Sequence, residues 1–103
     1  FSNPVYIGGA RYTYTTSTDQ FPTAGNIVNN TGSLFVRVNR VDSDGVDHYN
    51  ILSQLQAGDS LIIGTTEGVL SSAVGWNTDV AQVSMVSWTG PANGEYTVRV
   101  KLA

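Results

Sequence analysis

Glu95-Tyr96-Thr97-Val98-Arg99-Val100-Lys101-Leu102 decides the fold class. Tyr96, Val98, Val100 and Leu102 alternate with Thr97, Arg99 and Lys101. A period of two residues sorts into two faces only on a strand. One face is apolar and the other cationic, as in a half-buried sheet. Just before it, Gly90-Pro91-Ala92-Asn93-Gly94 predicts a hairpin loop, with Asn-Gly supplying positive φ. The strand on its other side is Val80 to Trp88. There Val80, Val86 and Trp88 are expected on one face, and Ala81, Val83 and Met85 on the other.

Further back, Leu61-Ile62-Ile63 is apolar on both sides and reads as a central strand. Residues 68–75 alternate without a clear inner face. Leu34, Val36 and Val38 share one face of another strand, against Phe35, Arg37 and Asn39. In Arg11 to Ser17, Tyr12, Tyr14 and Thr16 oppose Thr13 and Thr15, so this strand is half-buried. Gln20 to Asn26 holds Pro22 and Gly25 and reads as a turn. One helix is expected, over Tyr49 to Gln56. His48, Ile51, Leu52 and Leu55 fall at helical spacing, Asp47 stands at the N-cap, and Gly58 lies just past the end. So short a helix must be held by packing, for instance as a plug at one end of a barrel. His48 is expected at its partly exposed edge. The fold class is therefore mainly β: a small antiparallel β-sandwich or barrel with one short helix.

A chain of 103 residues suits one domain. Residues 11–103 are read as a single β domain and 1–10 as an N-terminal arm or edge strand. The net charge is −3, with five basic residues against eight acidic. That balance argues against a nucleic-acid partner. No cysteine is present, so neither a disulfide nor a thiol metal site is expected. No apolar run approaches the ~18 residues of a membrane span, so no membrane partner is expected. The chain starts at Phe1 rather than Met, which suggests an upstream piece removed or unrecorded.

Chemistry-bearing motifs are sparse. Asp42, Asp44 and Asp47 are the weak candidates for a metal, since clustered carboxylates suit a hard cation. Their spacing misses the helix-loop-helix calcium pattern: Gly45 comes too early, and the twelfth position is Ser53 rather than Glu. The turn-and-cap reading is preferred, and no metal or cofactor is expected. His48 is the only histidine, and its neighbour Asp47 points about 100° away on a helix, so the pair makes no triad. Glu67 and Glu95 read as solvated turn acids rather than a glycosidase pair. No nucleotide-binding glycine pattern occurs. Asn29-Asn30-Thr31 is formally a glycosylation sequon. No catalytic residue is assigned, and the chain is read as not an enzyme.

Two features suggest contact. Trp76, between Gly75 and Asn77, reads either as a loop-tip anchor or as a ring folded back over the core, while Trp88 reads as core. In Phe1-Ser2-Asn3-Pro4-Val5-Tyr6-Ile7, the residues Phe1, Val5, Tyr6 and Ile7 form an apolar segment ahead of Gly8-Gly9. Such a segment either adds to a neighbouring subunit's sheet edge or forms an edge strand of its own domain.

The order of elements carries a resemblance. It comprises the strand Leu34-Phe35-Val36-Arg37-Val38-Asn39-Arg40, the turn Asp42-Ser43-Asp44-Gly45, the short helix, and Ser60-Leu61-Ile62-Ile63 opened by Gly58-Asp59. Ahead of these come Arg11-Tyr12-Thr13-Tyr14-Thr15-Thr16-Ser17 and Gly25-Asn26-Ile27-Val28-Asn29-Asn30. This block resembles the small β domains of structural proteins in tailed-bacteriophage virions, such as fibres and capsid-surface appendages. The resemblance covers roughly Arg11 to Ala103 and is one of order and texture. It implies a non-enzymatic capsid decoration or fibre domain, located on the virion and assembled in the bacterial host cytoplasm. It implies other virion proteins, capsid or fibre subunits, as partners, and a homo-oligomer. The alternative is a small β module that binds a carbohydrate or a host-surface glycan.

Overall fold

The computed structural model describes the backbone of Pro4–Tyr6 and residues 11–30, 32–39 and 47–103. Alternation of the kind seen in Glu95 to Leu102 recurs along this chain, and strands dominate the result. In order they are β1 (Pro4–Tyr6), β2 (Tyr12–Thr16), β3 (Asn26–Asn30) and β4 (Ser33–Arg37). The helix α1 (His48–Ser53) follows. Then come β5 (Ser60–Ile63), β6 (Thr66–Val69), β7 (Gly75–Asn77), β8 (Val80–Ser84), β9 (Gly94–Tyr96) and β10 (Val98–Lys101). The mainly β reading with one short helix is what the structure shows.

The strands form a four-stranded sheet, β1-β10-β5-β6, and a six-stranded sheet, β7-β8-β4-β3-β2-β9. All pairings are antiparallel except β2 with β3, which run parallel. The connection between those two, residues 17–25, crosses the outer face of the larger sheet. Pro22 is buried there, and its carbonyl accepts from Arg37 Nη1 at 3.3 Å.

Glu95 to Leu102 is not one strand but two, in different sheets. Gly94–Tyr96 pairs with β2, whereas Val98–Lys101 pairs with β5 and β1. Thr97 marks the bend, its carbonyl accepting from Gly64 N at 2.9 Å. The side-chain alternation survives: Val98 and Val100 are fully buried, and Tyr96 and Leu102 pack against the core.

The predicted hairpin is absent. Strands β8 and β9 are separated in the sheet by β4, β3 and β2. The positive φ belongs to Gly90, at 77°, and not to Asn93-Gly94. The reason lies in β8, which stops at Ser84. Met85 then bridges to Leu70, and Ser87 turns the chain with φ of 53°. Val86 is consequently 58% exposed and does not share a buried face with Val80. Trp88 packs inward over Gly68, where a Cβ would lie 2.4 Å from its ring.

The same bridge joins the two sheets. Ser71 N donates to Ser84 O at 2.9 Å, and Val86 N to Val69 O at 2.8 Å. With the β9–β10 strand at the other corner, hydrogen bonding runs round the sandwich as in a partly closed barrel. The enclosed core includes Tyr14, Ile27, Leu34, Val36, Leu61, Ile63, Val83, Val98 and Val100. Each aliphatic side chain so buried contributes roughly 1.5–3 kcal/mol. Leu61 and Ile63 face this core, and Ile62 is also buried on the other side, as befits a strand flanked by β10 and β6.

The helix is shorter than its spacing predicts. Asp47 caps it, Oδ1 accepting from Asn50 N at 3.0 Å. Its end tightens, with Gln54 N bonding Ile51 O and Leu55 N bonding Leu52 O. Asp59 then takes Gln56 N at 2.9 Å and Ala103 N at 2.8 Å, so one carboxylate ties the helix exit to the far end of β10. Leu52 and Leu55 reach the core as expected. His48 does not sit at an exposed edge: it is 0% exposed. Tyr12 on β2 draws it inward, the phenol hydrogen-bonding His48 Nδ1 at 3.1 Å.

Candidate functional site

The residues singled out for chemistry are dispersed or committed to structure. Asp42 and Asp44 lie outside the described residues. The carboxylate of Asp47 is engaged at the helix N-cap. Among the described residues no cluster of three metal-ligating side chains occurs, and no pocket opens. Glu67 lies on β6, accepting from Ser60 Oγ at 2.6 Å, with Lys101 Nζ 3.8 Å away. Glu95 lies on β9 in the other sheet, so the two glutamates share no strand pairing and no sheet. In the sequon, Asn29 Nδ2 donates to the buried Tyr14 hydroxyl at 3.1 Å. The atom a glycan would occupy is thus turned inward.

Tyr14 is the centre of the most polar part of the core. Its phenol is pushed above its ordinary range, chiefly by burial. The neighbouring Asn29 amide and Trp88 indole work against that shift, and Tyr96 adds to it. Tyr96 meets Tyr14 edge-on, with centroids 6.4 Å apart. Gly90 closes over the hydroxyl, and a Cβ there would lie 1.8 Å from it. This is a packed seal rather than an open site.

Trp76 is not at a loop tip. It sits in the edge strand β7, half-buried, opposite Ala81. Its ring lies 4.4 Å from that of Tyr49, centroid to centroid, so it fastens α1 to the sheet. Of the N-terminal candidates, Phe1 and Ile7 lie outside the described residues. Val5 and Tyr6 belong to β1, whose backbone pairs with β10 of the same chain.

What the sequence reading missed is a surface. The outer side of the six-stranded sheet carries Thr13, Thr15, Asn26, Ser33, Gln82 and Ser84. Across the six strands the charged side chains are Arg37 and, on the edge strand β9 opposite Thr13, the exposed Glu95. Arg37 is matched by Asp79, with Nε to Oδ2 at 2.8 Å. Phe21 stands over this face, 58% exposed and 6.5 Å from Phe35 by ring centroids. The smaller sheet differs, its outer side carrying Arg99, Lys101 and Glu67. A signal was present in the sequence, since Phe21 stands alone among polar residues in a turn beside Pro22.

The chain matches no family model, no curated protein and no solved structure in comparison with known proteins.

Proposed function

We propose that this chain is a non-enzymatic structural subunit of a phage-type virion, a capsid decoration or fibre domain that works by contact with other virion proteins. The observation that carries the reading is the broad outer face of the six-stranded sheet. It is uncleft, its inner strands carry one charge, Arg37, matched by Asp79, a second charge, the exposed Glu95, stands at its β9 edge, and it is surmounted by Phe21. Protein interfaces are depleted of charge at their centres and enriched in aromatic residues. A small-molecule site would instead be concave, with convergent polar groups. The virion setting is supported by the resemblance in sequence texture described above.

The test is localisation. An antibody raised against this chain, applied to particles purified from its source material, should decorate intact virions in gold-labelled micrographs. Label confined to the soluble fraction overturns the virion reading. In the same preparation Phe21→Ser should lower retention on particles at least tenfold while leaving circular dichroism unchanged.

A further inference from the structure

We propose that Arg37 is the positioning residue of the contact face: it clamps the strap of residues 17–25 to the larger sheet and so sets Phe21 in place for docking. This rests on the association reading above and names the side chain that prepares that face for a partner.

The face is not bare sheet. Val28, Phe35 and Val80 are buried yet stand apart from the main core. Their neighbours along the strands, Ile27, Leu34, Val36 and Ala81, belong to that core, so these three point to the other side. Val28 and Phe35 oppose each other across β3 and β4. The strap lies over them, with Pro22 buried and the Phe21 ring 6.5 Å from that of Phe35. It forms a second, thin apolar layer, and Phe21 is its exposed top.

Parallel strands are usually joined through a helix, which satisfies its own backbone. The β2–β3 connection contains none. Phe21 precedes Pro22 and is steered away from helical backbone angles. Side chains of the sheet tie the strap down instead. Asn30 Nδ2 donates to Thr18 O at 3.0 Å, and Arg37 Nη1 donates to Pro22 O at 3.3 Å. Phe21 lies between these two ties. Pro22 has no N–H, so its carbonyl is the main-chain group by which it can be held.

Arg37 is itself held. Its Nε donates to Asp79 Oδ2 at 2.8 Å while Nη1 reaches Pro22. The Asp79 backbone is fixed by its carbonyl, which accepts from Val38 N at 3.2 Å. Asp79 shares the turn between Asn77 and Val80 with Thr78, whose φ of 56° is rare for a β-branched side chain. Such a backbone persists where its surroundings impose it. A guanidinium carries its donors in a rigid fork and serves both partners at once, whereas an ammonium is a single point. Charge and fork can therefore be tested apart.

The test uses the full chain labelled with nitrogen-15. Arg37→Lys keeps the charge and loses the fork. The Phe21 amide should have an order parameter near ~0.85 in the parent and below about 0.6 in Arg37→Lys, while β4 and β8 keep theirs. Retention on particles should fall about tenfold, as for Phe21→Ser, because both variants take away one anchor. The double variant should fall no further than either. An ordered strap in Arg37→Lys overturns the clamp, since charge alone then suffices. Undiminished retention with a freed strap overturns it equally. Asp79→Ala leaves Arg37 in place and removes its anchor, and it decides by the same order parameter should Arg37→Lys fail to fold. Order parameters need no particle, so the two failures are separable. A freed strap on a chain that never labels virions keeps the clamp and loses the virion, and an ordered strap on a chain that labels them does the reverse.

Discussion

Strand β10 has two flanks, and they are built differently. On one side lies β5, whose four residues are all buried, with Val98 against Ile63 and Val100 against Leu61. On the other lies β1, a three-residue strand at the sheet's end. The first flank faces a core closed by two sheets. The second is held by one short row of main-chain pairing. The difference separates a flank that carries the fold from one whose loss the fold should survive.

The harshest way to test that division is to damage the sealed flank. Val98→Asp removes a fully buried aliphatic side chain and puts a carboxylate in its place. The lost burial alone costs roughly 1.5–3 kcal/mol, and an unpaired buried charge costs several more. A domain this size has only about 5–15 kcal/mol in hand. The variant should show no cooperative thermal transition. Its neighbour Arg99 is half-buried and reaches Gly64 O at 3.3 Å, so Arg99→Ser should cost about 1 kcal/mol and stay folded. Equal melting temperatures would break the assignment of faces.

Next in size is the seal at Gly90. Its φ of 77° and its contact with Tyr14 both resist a side chain. Gly90→Ala should cost about 2–4 kcal/mol, from overpacking and left-handed strain together. Removing the hydroxyl that the methyl would strike should recover part of this. In a Tyr14→Phe background the same substitution should cost at least ~1 kcal/mol less in urea titration. Additive costs would show that strain at Gly90, and not its packing on Tyr14, governs this corner.

The lightly held flank should behave otherwise. Deleting Phe1 to Ile7 removes β1, an edge strand with β10 as its one neighbour. The remaining chain should keep its far-ultraviolet circular dichroism and lose about 1–3 kcal/mol, the scale of a few net hydrogen bonds. If copies associate through this segment, as the proposed function allows, sedimentation velocity should show weaker assembly for the truncated chain than for the full one; equal assembly would leave β1 no part in it. If it unfolds, the two flanks of β10 are not so different after all.

How far the sequence carried this picture can be judged strand by strand. Alternation identified the buried faces of β2, β4 and β10, because burial on one side leaves a period of two. It did not reveal that Glu95 to Leu102 changes sheets at Thr97. The bend is set by partners distant in sequence, Tyr12–Tyr14 and Leu61–Ile63, and leaves no mark in the strand's own pattern. The hairpin expectation failed similarly, since Asn93-Gly94 is a turn signal that β9 overrides by pairing with β2. His48 looked peripheral because its partner, Tyr12, lies 36 residues away. Of the contact candidates, Trp76 follows the second of its two readings: flanking Gly75 and Asn77 suggest a loop, but Tyr49 supplies a stacking partner and the ring packs back against the core. The sparsely charged outer face was legible only in part. Its residues are mostly small and polar one at a time, and the scarcity of charge between Arg37 and Glu95 appears only when strands are placed side by side.

The smallest expected effect is a pH dependence confined to the sealed side. Burial holds the Tyr14 phenol above its ordinary value of about 10, despite Asn29 and Trp88. On raising pH, the unfolded chain therefore loses this proton before the folded one does. Stability from the neutral phenol is fully present below pH ~10 and is lost as pH climbs from there through the folded value. The comparison is made against Tyr14→Phe, which removes this one ionisation. Between pH 9 and about 11 the parent should lose stability more steeply than the variant in urea titrations, and below pH 9 the two curves should run parallel. No such convergence is expected from deleting Phe1 to Ile7, because Tyr14 faces the core and not the β1 edge. Parallel curves for Tyr14→Phe through the whole range would mean that the phenol is open to solvent, and that the seal between β2, Gly90 and Trp88 is looser than its packing implies.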